Sequence, residues 1–242
     1  MESVGAAGGV GHVSSLHRWP VKSMAGEPVE SVRIDRRGVA GDRAHALFDE
    51  HKGKPRRLTA RQAPRMLHWS ATYEGEVGAD AVPLPLLRAP DGRSFRWDDP
   101  RLATALQADF ERVLVLRRDL ELMADRPDSI LVTTEATFDA VSAALGRALD
   151  LRRFRTNIHV RLDAPAYAEE GWAGRRLRVG EAELELLDPC KRCVIPTRDP
   201  DTTEKDAEIL RWLARERNLL FGINARAPSP AQIAVGDRVE LI

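Results

Sequence analysis

The chain has 242 residues, 43% of them hydrophobic and 31% charged, enough to bury a core under a well-charged surface. Lys plus Arg and Asp plus Glu each number 37, for a formal net charge of zero. That balance gives no general attraction to nucleic acid or an anionic membrane, so any bound anion has to be met by a local cluster of cations.

Residues 1–9 read as a flexible tail. Met1 to Gly11 contains no Lys or Arg, so it lacks the basic start of a secretory signal. Short strand-like runs follow at Val10–Leu16, Val29–Asp35, Ala44–Phe48, Leu67–Tyr73, Leu84–Ala89 and Ser94–Trp97. Asp99-Pro100 opens a helix, with Asp99 as N-cap and Leu102, Ala105, Leu106 and Phe110 as its apolar stripe. Val113–Leu116 and Ile130–Val132 read as buried strands, and Thr134 to Ala144 as a second helix stopped by Gly146. Asn157–Leu162 and Leu177–Leu187 return to strand patterning, the latter broken by a Gly180-Glu181 turn. The spacing of Thr203 and Asp206 predicts a capping box for a last helix, and Arg238–Ile242 closes the chain as a strand. A helix after every strand, as a doubly wound sheet needs, is missing. The expected class is therefore α+β, mainly β, built on a β-barrel with a few short helices.

The cysteines, Cys190 and Cys193, sit in Asp188-Pro-Cys-Lys-Arg-Cys-Val-Ile-Pro. Two are too few for a secreted disulfide scaffold, which favours a reducing cytoplasm. A Cys-x-x-Cys pair fits half a zinc site, a redox dithiol, one working thiolate beside a bystander, or a plain turn. Zinc needs two further ligands, and neither a second Cys pair nor a closely spaced His pair occurs. Lys191 and Arg192 favour a thiolate at Cys193, a soft ligand for a metal centre.

Other segments carry weaker signals. Lys22 and Ser23, between Pro20 and Gly26, offer an ammonium and a hydroxyl to an anion, or form an ordinary solvated turn. Gly41-Asp42-Arg43 delivers an ion pair into a strand, and Leu58–Arg65 resembles a short solvated helix. Arg155 and Asn157, two apart and so on one face of an expected strand, supply a guanidinium fork and an amide.

In this order the segments resemble the MOSC family, including its N-terminal β-barrel part, and within it the amidoxime-reducing molybdenum enzymes. The motifs are Trp19–Ser23, Gly41–Arg43, Thr59–Arg65, Arg155–Asn157, Tyr167–Glu170 with Trp172, Cys190–Cys193, Thr197–Thr202 and Val235–Asp237. The resemblance implies two parts, a smaller β-rich one over 10–105 and the MOSC domain over 106–242. It implies a molybdenum–molybdopterin cofactor with Cys193 as metal ligand. Lys22, Ser23, Arg43, Arg155 and Asn157 would hold the pterin and its phosphate. Lys191 stands where a small or polar residue of the cofactor loop is expected, and Asp128 and Ser129 match a further loop in a slipping register. Met24 departs from the family where many relatives carry a Cys.

The resemblance thus implies an oxidoreductase acting on N-hydroxylated small molecules, with Cys193 and Asp199 as catalytic residues, Asp199 or Asp201 relaying protons. No ferredoxin-like cysteine cluster follows the barrel and no membrane anchor precedes it in this sequence. Electrons are therefore expected from a separate flavin or iron–sulfur protein. The rival expectations are a sulfur or cofactor carrier using Cys193, and a dithiol or zinc protein using both cysteines.

Overall fold

The computed structural model describes residues 9–78, 80–120 and 130–242. Asp128 and Ser129, and residues 1–8 of the expected tail, lie outside them. The first half runs through β1 (Val10–Arg18), β2 (Glu27–Val29), β3 (Ser31–Asp35), β4 (Gly38–Val39), β5 (His45–His51), β6 (Lys54–Arg57), a 3-10 turn at Pro64–His68, β7 (Ser70–Thr72), β8 (Leu86–Arg88) and β9 (Ser94–Arg96). Helix α1 (Pro100–Phe110) and β10 (Val115–Arg118) follow. The second half holds β11 (Ile130–Thr134), α2 (Glu135–Ala144), a 3-10 turn at Leu151–Phe154, β12 (Ile158–Leu162), β13 (Arg176–Val179), β14 (Ala182–Lys191), α3 (Ala207–Arg217), β15 (Leu220–Arg226), β16 (Ala231–Ala234) and β17 (Arg238–Leu241).

Seven strands close into a barrel in the order β12, β11, β15, β14, β13, β17 and β1, with β1 pairing back onto β12 and β2 added beside β1. The alternation that makes a half-buried strand is plain in β13, where Leu177 and Val179 point in while Arg176 and Arg178 face water. The barrel interior is filled by such side chains, Val13, Val132, Val160, Leu184, Ile223 and Val239 among them. Each fully buried aliphatic side chain contributes about 1.5–3 kcal/mol. The closing seam sets Gly11 opposite Leu162 and Leu16 opposite Ile158. The barrel of the second half is thus completed by the first strand of the chain.

A second core belongs to the first half. Met24, Leu47, Met66, Trp69 and Leu87 pack against Leu102, Leu106 and Phe110 of α1 and against Leu114. Leu106, Phe110 and Leu114 therefore pack with the N-terminal part, although they lie beyond the division expected at 105/106. A third cluster lies under α2 and α3, where Phe154 stacks on Phe221 at 3.8 Å between ring centroids.

Several local expectations change. Asp99 does cap α1, accepting a hydrogen bond from Arg101 N. The cap of α3 is Asp206, whose side chain accepts from Glu208 N, while Thr203 sits outside the helix at φ 61°. Val113 and Val115 are exposed, not buried, because β10 is an edge strand beside β5. The stretch 58–65 is not a solvated helix: Leu58, Ala60 and Ala63 are buried and the 3-10 turn after them buries Met66. Leu67–Tyr73 shortens to β7 because that turn takes its first residues. No described helix is long and apolar enough to cross a membrane.

Candidate functional site

One end of the barrel, where loops of both halves meet, opens into a cavity of about 420 Å³. Lys22, Ser23, Arg43, Arg155, Asn157, Lys191 and Cys193 all line it. The sequence suggested these seven from four separate segments, and the fold brings them together.

Trp19 organises the anion-facing part. Its N–H is accepted by Asp42 Oδ1 at 2.8 Å, its carbonyl accepts from Arg43 N at 2.7 Å, and its indole Nε1 donates to Thr156 O at 3.0 Å. One residue, through its backbone and its indole, thus ties the Lys22 turn, the Asp42-Arg43 pair and the Arg155–Asn157 segment into a single body. Arg155 lies over the Trp19 ring, 4.2 Å from its centroid. Lys22 N donates to His45 O at 2.9 Å, which fixes the turn against β5. Gly26 ends that turn where no side chain fits, since an added Cβ would lie 2.2 Å from Arg18 O.

Three cavity residues, Ser23, Arg43 and Arg155, hold left-handed backbone at φ 68°, 51° and 53°. Such conformations cost roughly 1–3 kcal/mol each in a non-glycine residue and persist only where packing imposes them. Arg155 is the cap of the 3-10 turn, and β12 begins only at Ile158. Arg155 and Asn157 therefore do not share a strand face as expected; the left-handed bend aims Arg155 inward instead. Asn157 is tied to backbone at both ends of its amide, accepting from Leu131 N at 3.1 Å and donating to His17 O at 3.3 Å.

The electrostatics are those of cations gathered in a buried place. Burial, then the charges of Arg43, Arg155 and Arg57, push the Lys22 ammonium down to about 6, against the pull of Asp42. Burial and Arg43 likewise push the Arg155 guanidinium down to about 9. Arg155 Nη1 donates to Met24 O at 2.8 Å, whereas its Nη2 is buried with no hydrogen-bond partner among the described residues. Leaving a buried donor unmatched costs about 1–3 kcal/mol, more for a charged group.

Cys193 follows the end of β14, where Arg192 N donates to Leu219 O at 2.7 Å and the chain turns into a 3-10 turn at Ile195–Thr197. Burial pushes its thiol up. A hydrogen bond from the Arg61 side chain, the N–H of Ile195 and the charges of Arg61 and Arg192 outweigh that, and the net shift is downward. Cys190 also lines the cavity, and its Sγ accepts from Arg192 Nη1 at 3.1 Å. Among the described residues no three His, Cys, Asp or Glu side chains converge as a metal site.

Asp199 is not among the cavity-lining residues. Its carboxylate is committed to Arg153 at 2.5 Å and to the N–H groups of Asp201 and Thr202. Those backbone bonds, Thr202 first and against a small burial effect, hold it below the usual carboxylate range, which does not suit a proton relay near neutral pH. Asp201 is paired with Arg152. Conversely, Arg61 lines the cavity although its segment looked like a solvated helix. The signal was Thr59 and Gln62: the Gln62 side chain accepts from Thr59 N and Oγ1 at 3.1 and 2.7 Å, locking the turn that presents Arg61.

The MOSC domain family matches residues 119–240, and the MOSC N-terminal beta barrel domain matches residues 10–126. The chain belongs to the MOSC family. This MOSC chain is 27% identical over 265 residues to mitochondrial amidoxime-reducing component 1 of Xenopus laevis, covering 90% of this chain and 76% of that protein. A shorter stretch of 79 residues is 40% identical to the molybdenum cofactor sulfurase of Caenorhabditis briggsae, covering 31% of this chain and 11% of that one. Among solved structures, the YuaD protein of Bacillus subtilis overlays with a TM-score of 0.48 at 12% identity, over 97% of this chain and 96% of that chain. The cavity draws on both matched regions, Lys22, Arg43 and Arg61 coming from the N-terminal one and Arg155, Lys191 and Cys193 from the MOSC domain.

Proposed function

We propose that this chain is the molybdenum-cofactor-holding component of an oxidoreductase that reduces N-hydroxylated compounds, with electrons from a separate protein. The observation that carries this is the single cavity in which the Cys193 sulfur, drawn toward its thiolate, faces Lys22, Arg43 and Arg155. The donor set fits a molybdenum–pterin group. Such a group brings its own dithiolene sulfurs, needs one soft protein ligand, and ends in a phosphate dianion. The unmatched Arg155 Nη2 and the depressed Lys22 ammonium are what that phosphate would satisfy.

In this assignment Cys193 is the metal ligand. Lys22 and Arg155 neutralise the phosphate, with Ser23 adding a hydroxyl and Arg43 a second guanidinium. Arg43 is oriented by its ion pair with Asp42 and donates to Arg155 O at 3.3 Å. Asn157 keeps the first turn of β12 and the start of β11 in register, and so holds the Arg155 bend in place. Lys191 sits at the exposed rim. When bound, the cofactor supplies the two-electron chemistry that removes oxygen from nitrogen; the chain supplies the ligand, the orientation and a shaped, partly dry pocket. Asp199, held by Arg153 and by the N–H groups of its own turn, is not placed to relay protons to the cavity.

The amidoxime-reducing relatives support this function over most of the chain. The stretch shared with a molybdenum cofactor sulfurase keeps a second reading alive, in which the chain presents cofactor or sulfur from Cys193 to another enzyme. Protein made in a cofactor-competent host, assayed for molybdenum, pterin and benzamidoxime reduction by a reduced viologen dye, separates them. An oxidoreductase binds stoichiometric molybdenum and turns over, a carrier binds without turnover, and absence of both metal and pterin refutes both. Loss of metal in Cys193→Ser, with retention in Cys190→Ser, is the expected outcome.

A further inference from the structure

The cations of this cavity fall into two tiers. Lys22 and Arg155 lie at the bottom, 7% and 8% exposed, and Arg43 is bound to Asp42 beside them. Arg61 and Lys191 line the same cavity but are exposed to solvent, on the 59–62 turn and at the end of β14. Cys193 lines the same cavity as the upper tier, and Arg61 is among the groups that pull its thiol down. Arg192 adjoins it but is committed to Cys190 Sγ and to Phe154 O at 2.6 Å. One phosphate dianion is about matched by the lower tier. The upper tier is then surplus, in a chain whose overall charge is zero.

We propose that Arg61 and Lys191 form an anion subsite at the mouth of the cavity that selects substrates carrying a carboxylate. This rests on the reading of Cys193 as the residue beside which the substrate is reduced. Two exposed cations lining an opening of this size concentrate anions at it and orient them with the charged end outward and the reducible end toward the sulfur. The lower tier cannot do this once a phosphate occupies it. Asp188 is the acid among the cavity-lining residues; its carboxylate accepts from Asn224 Nδ2 at 3.2 Å. Among the described residues Arg61 has no ion pair of the kind that ties Arg65 nearby to Asp109. The turn that carries it is braced by Thr59 and Gln62, so its position is set even though its head is exposed.

The subsite is tested on cofactor-free protein by competing iodoacetate against iodoacetamide for Cys193, with the modified peptide read by mass spectrometry. Both reagents attack the same thiolate, so their ratio reports the local field and not the thiol's acidity. In wild type the ratio should exceed that of N-acetylcysteine by about fivefold or more, the size expected for a nearby unit charge or two in a partly screened site. It should fall with added salt. Arg61→Gln and Lys191→Gln should each lower it by about two- to threefold, and both residues are exposed enough for the variants to fold. A wild-type ratio equal to that of N-acetylcysteine, or one unmoved by either variant, overturns the subsite. The loaded enzyme gives the second arm: 4-carboxybenzamidoxime should show a lower KM than benzamidoxime, and Lys191→Gln should erase that difference. If neither compound is reduced while the alkylation ratio still responds, the proposed reaction fails and the anion subsite stands. Reduction of both with equal KM, alongside a flat ratio, removes the subsite and leaves the reaction.

Discussion

Replacing Lys22 by methionine should stabilise the cofactor-free protein near neutral pH while destroying its affinity for phosphate. The ammonium has an ordinary value of 10.5 and is pushed down to about 6 in the fold, chiefly by burial and by Arg43 and Arg155. Between those values the unfolded chain binds a proton that the folded chain does not, so stability rises with pH across that window. At about pH 7.5 the cost is about three pH units, or about 4 kcal/mol, since each unit is worth about 1.4 kcal/mol. At about pH 9.5 only about 1.4 kcal/mol of it remains. Methionine keeps most of the buried stem but forfeits the polar contact of the ammonium, worth about 1 kcal/mol. Lys22→Met should therefore gain about 2–3 kcal/mol at about pH 7.5 and close to nothing at about pH 9.5. Urea denaturation of both proteins across this range gives the difference directly, and other titrating groups cancel in it.

The same experiment has a second limb. An anion in the cavity restores the Lys22 charge, so phosphate at about ten times its dissociation constant should stabilise wild type by about 1.4 kcal/mol. It should do little for Lys22→Met. Parallel pH profiles for the two proteins, or a variant less stable than wild type throughout, would show that burial and the neighbouring guanidinium groups do not depress Lys22. The assignment of the lower tier to a phosphate would then lose its main support.

Three further substitutions test the scaffold. Gly11→Ala should cost at least about 3 kcal/mol, because the added Cβ would lie 1.8 Å from Arg161 O at the seam where β1 closes the barrel; thermal unfolding read by circular dichroism measures it. The cap of α3 separates Asp206 from Thr203. Asp206→Ala should lose about 1 kcal/mol. Thr203→Gly should gain up to about 1 kcal/mol, since a β-branched residue there holds left-handed backbone at φ 61°.

The cavity was legible in the sequence to the extent that its chemistry sits in residues of unusual type or company. A Cys pair flanked by cations, a Lys-Ser pair between Pro and Gly, and an Arg beside an Asn each stand out locally, and the fold brings them to one place. Arg61 did not stand out, because a single exposed Arg on a turn is the commonest thing a protein surface offers. Only its place beside Cys193 in the cavity lining distinguishes it, and that proximity joins positions 132 residues apart. Asp199 erred in the opposite direction. Its Asp-Pro-Asp-Thr setting places a carboxylate close to Cys193 in sequence, but that setting is a turn whose N–H groups consume the carboxylate. The strands that escaped prediction share a cause as well. In β15, Phe221, Gly222, Ile223, Asn224 and Ala225 are all buried, so no alternation marks the strand, and β6 is Lys-Pro-Arg-Arg on a sheet edge, where no burial pattern is required.

The dependence of the site on both halves follows from the same topology. Strand β1 closes the barrel between β17 and β12, and the turn that leaves it carries Lys22 and Ser23 to the barrel's end. The Arg61 turn then reaches that end from the N-terminal core, packed through Leu58 and Ala63. A barrel assembled without the first strand would keep Cys193 and Arg155 but lose the ammonium and the Trp19 clamp together. The cations gather at the junction of the two halves because each half supplies only part of them. A like-charged cluster of this kind is tolerable only where two separately stabilised cores hold it closed until an anion arrives.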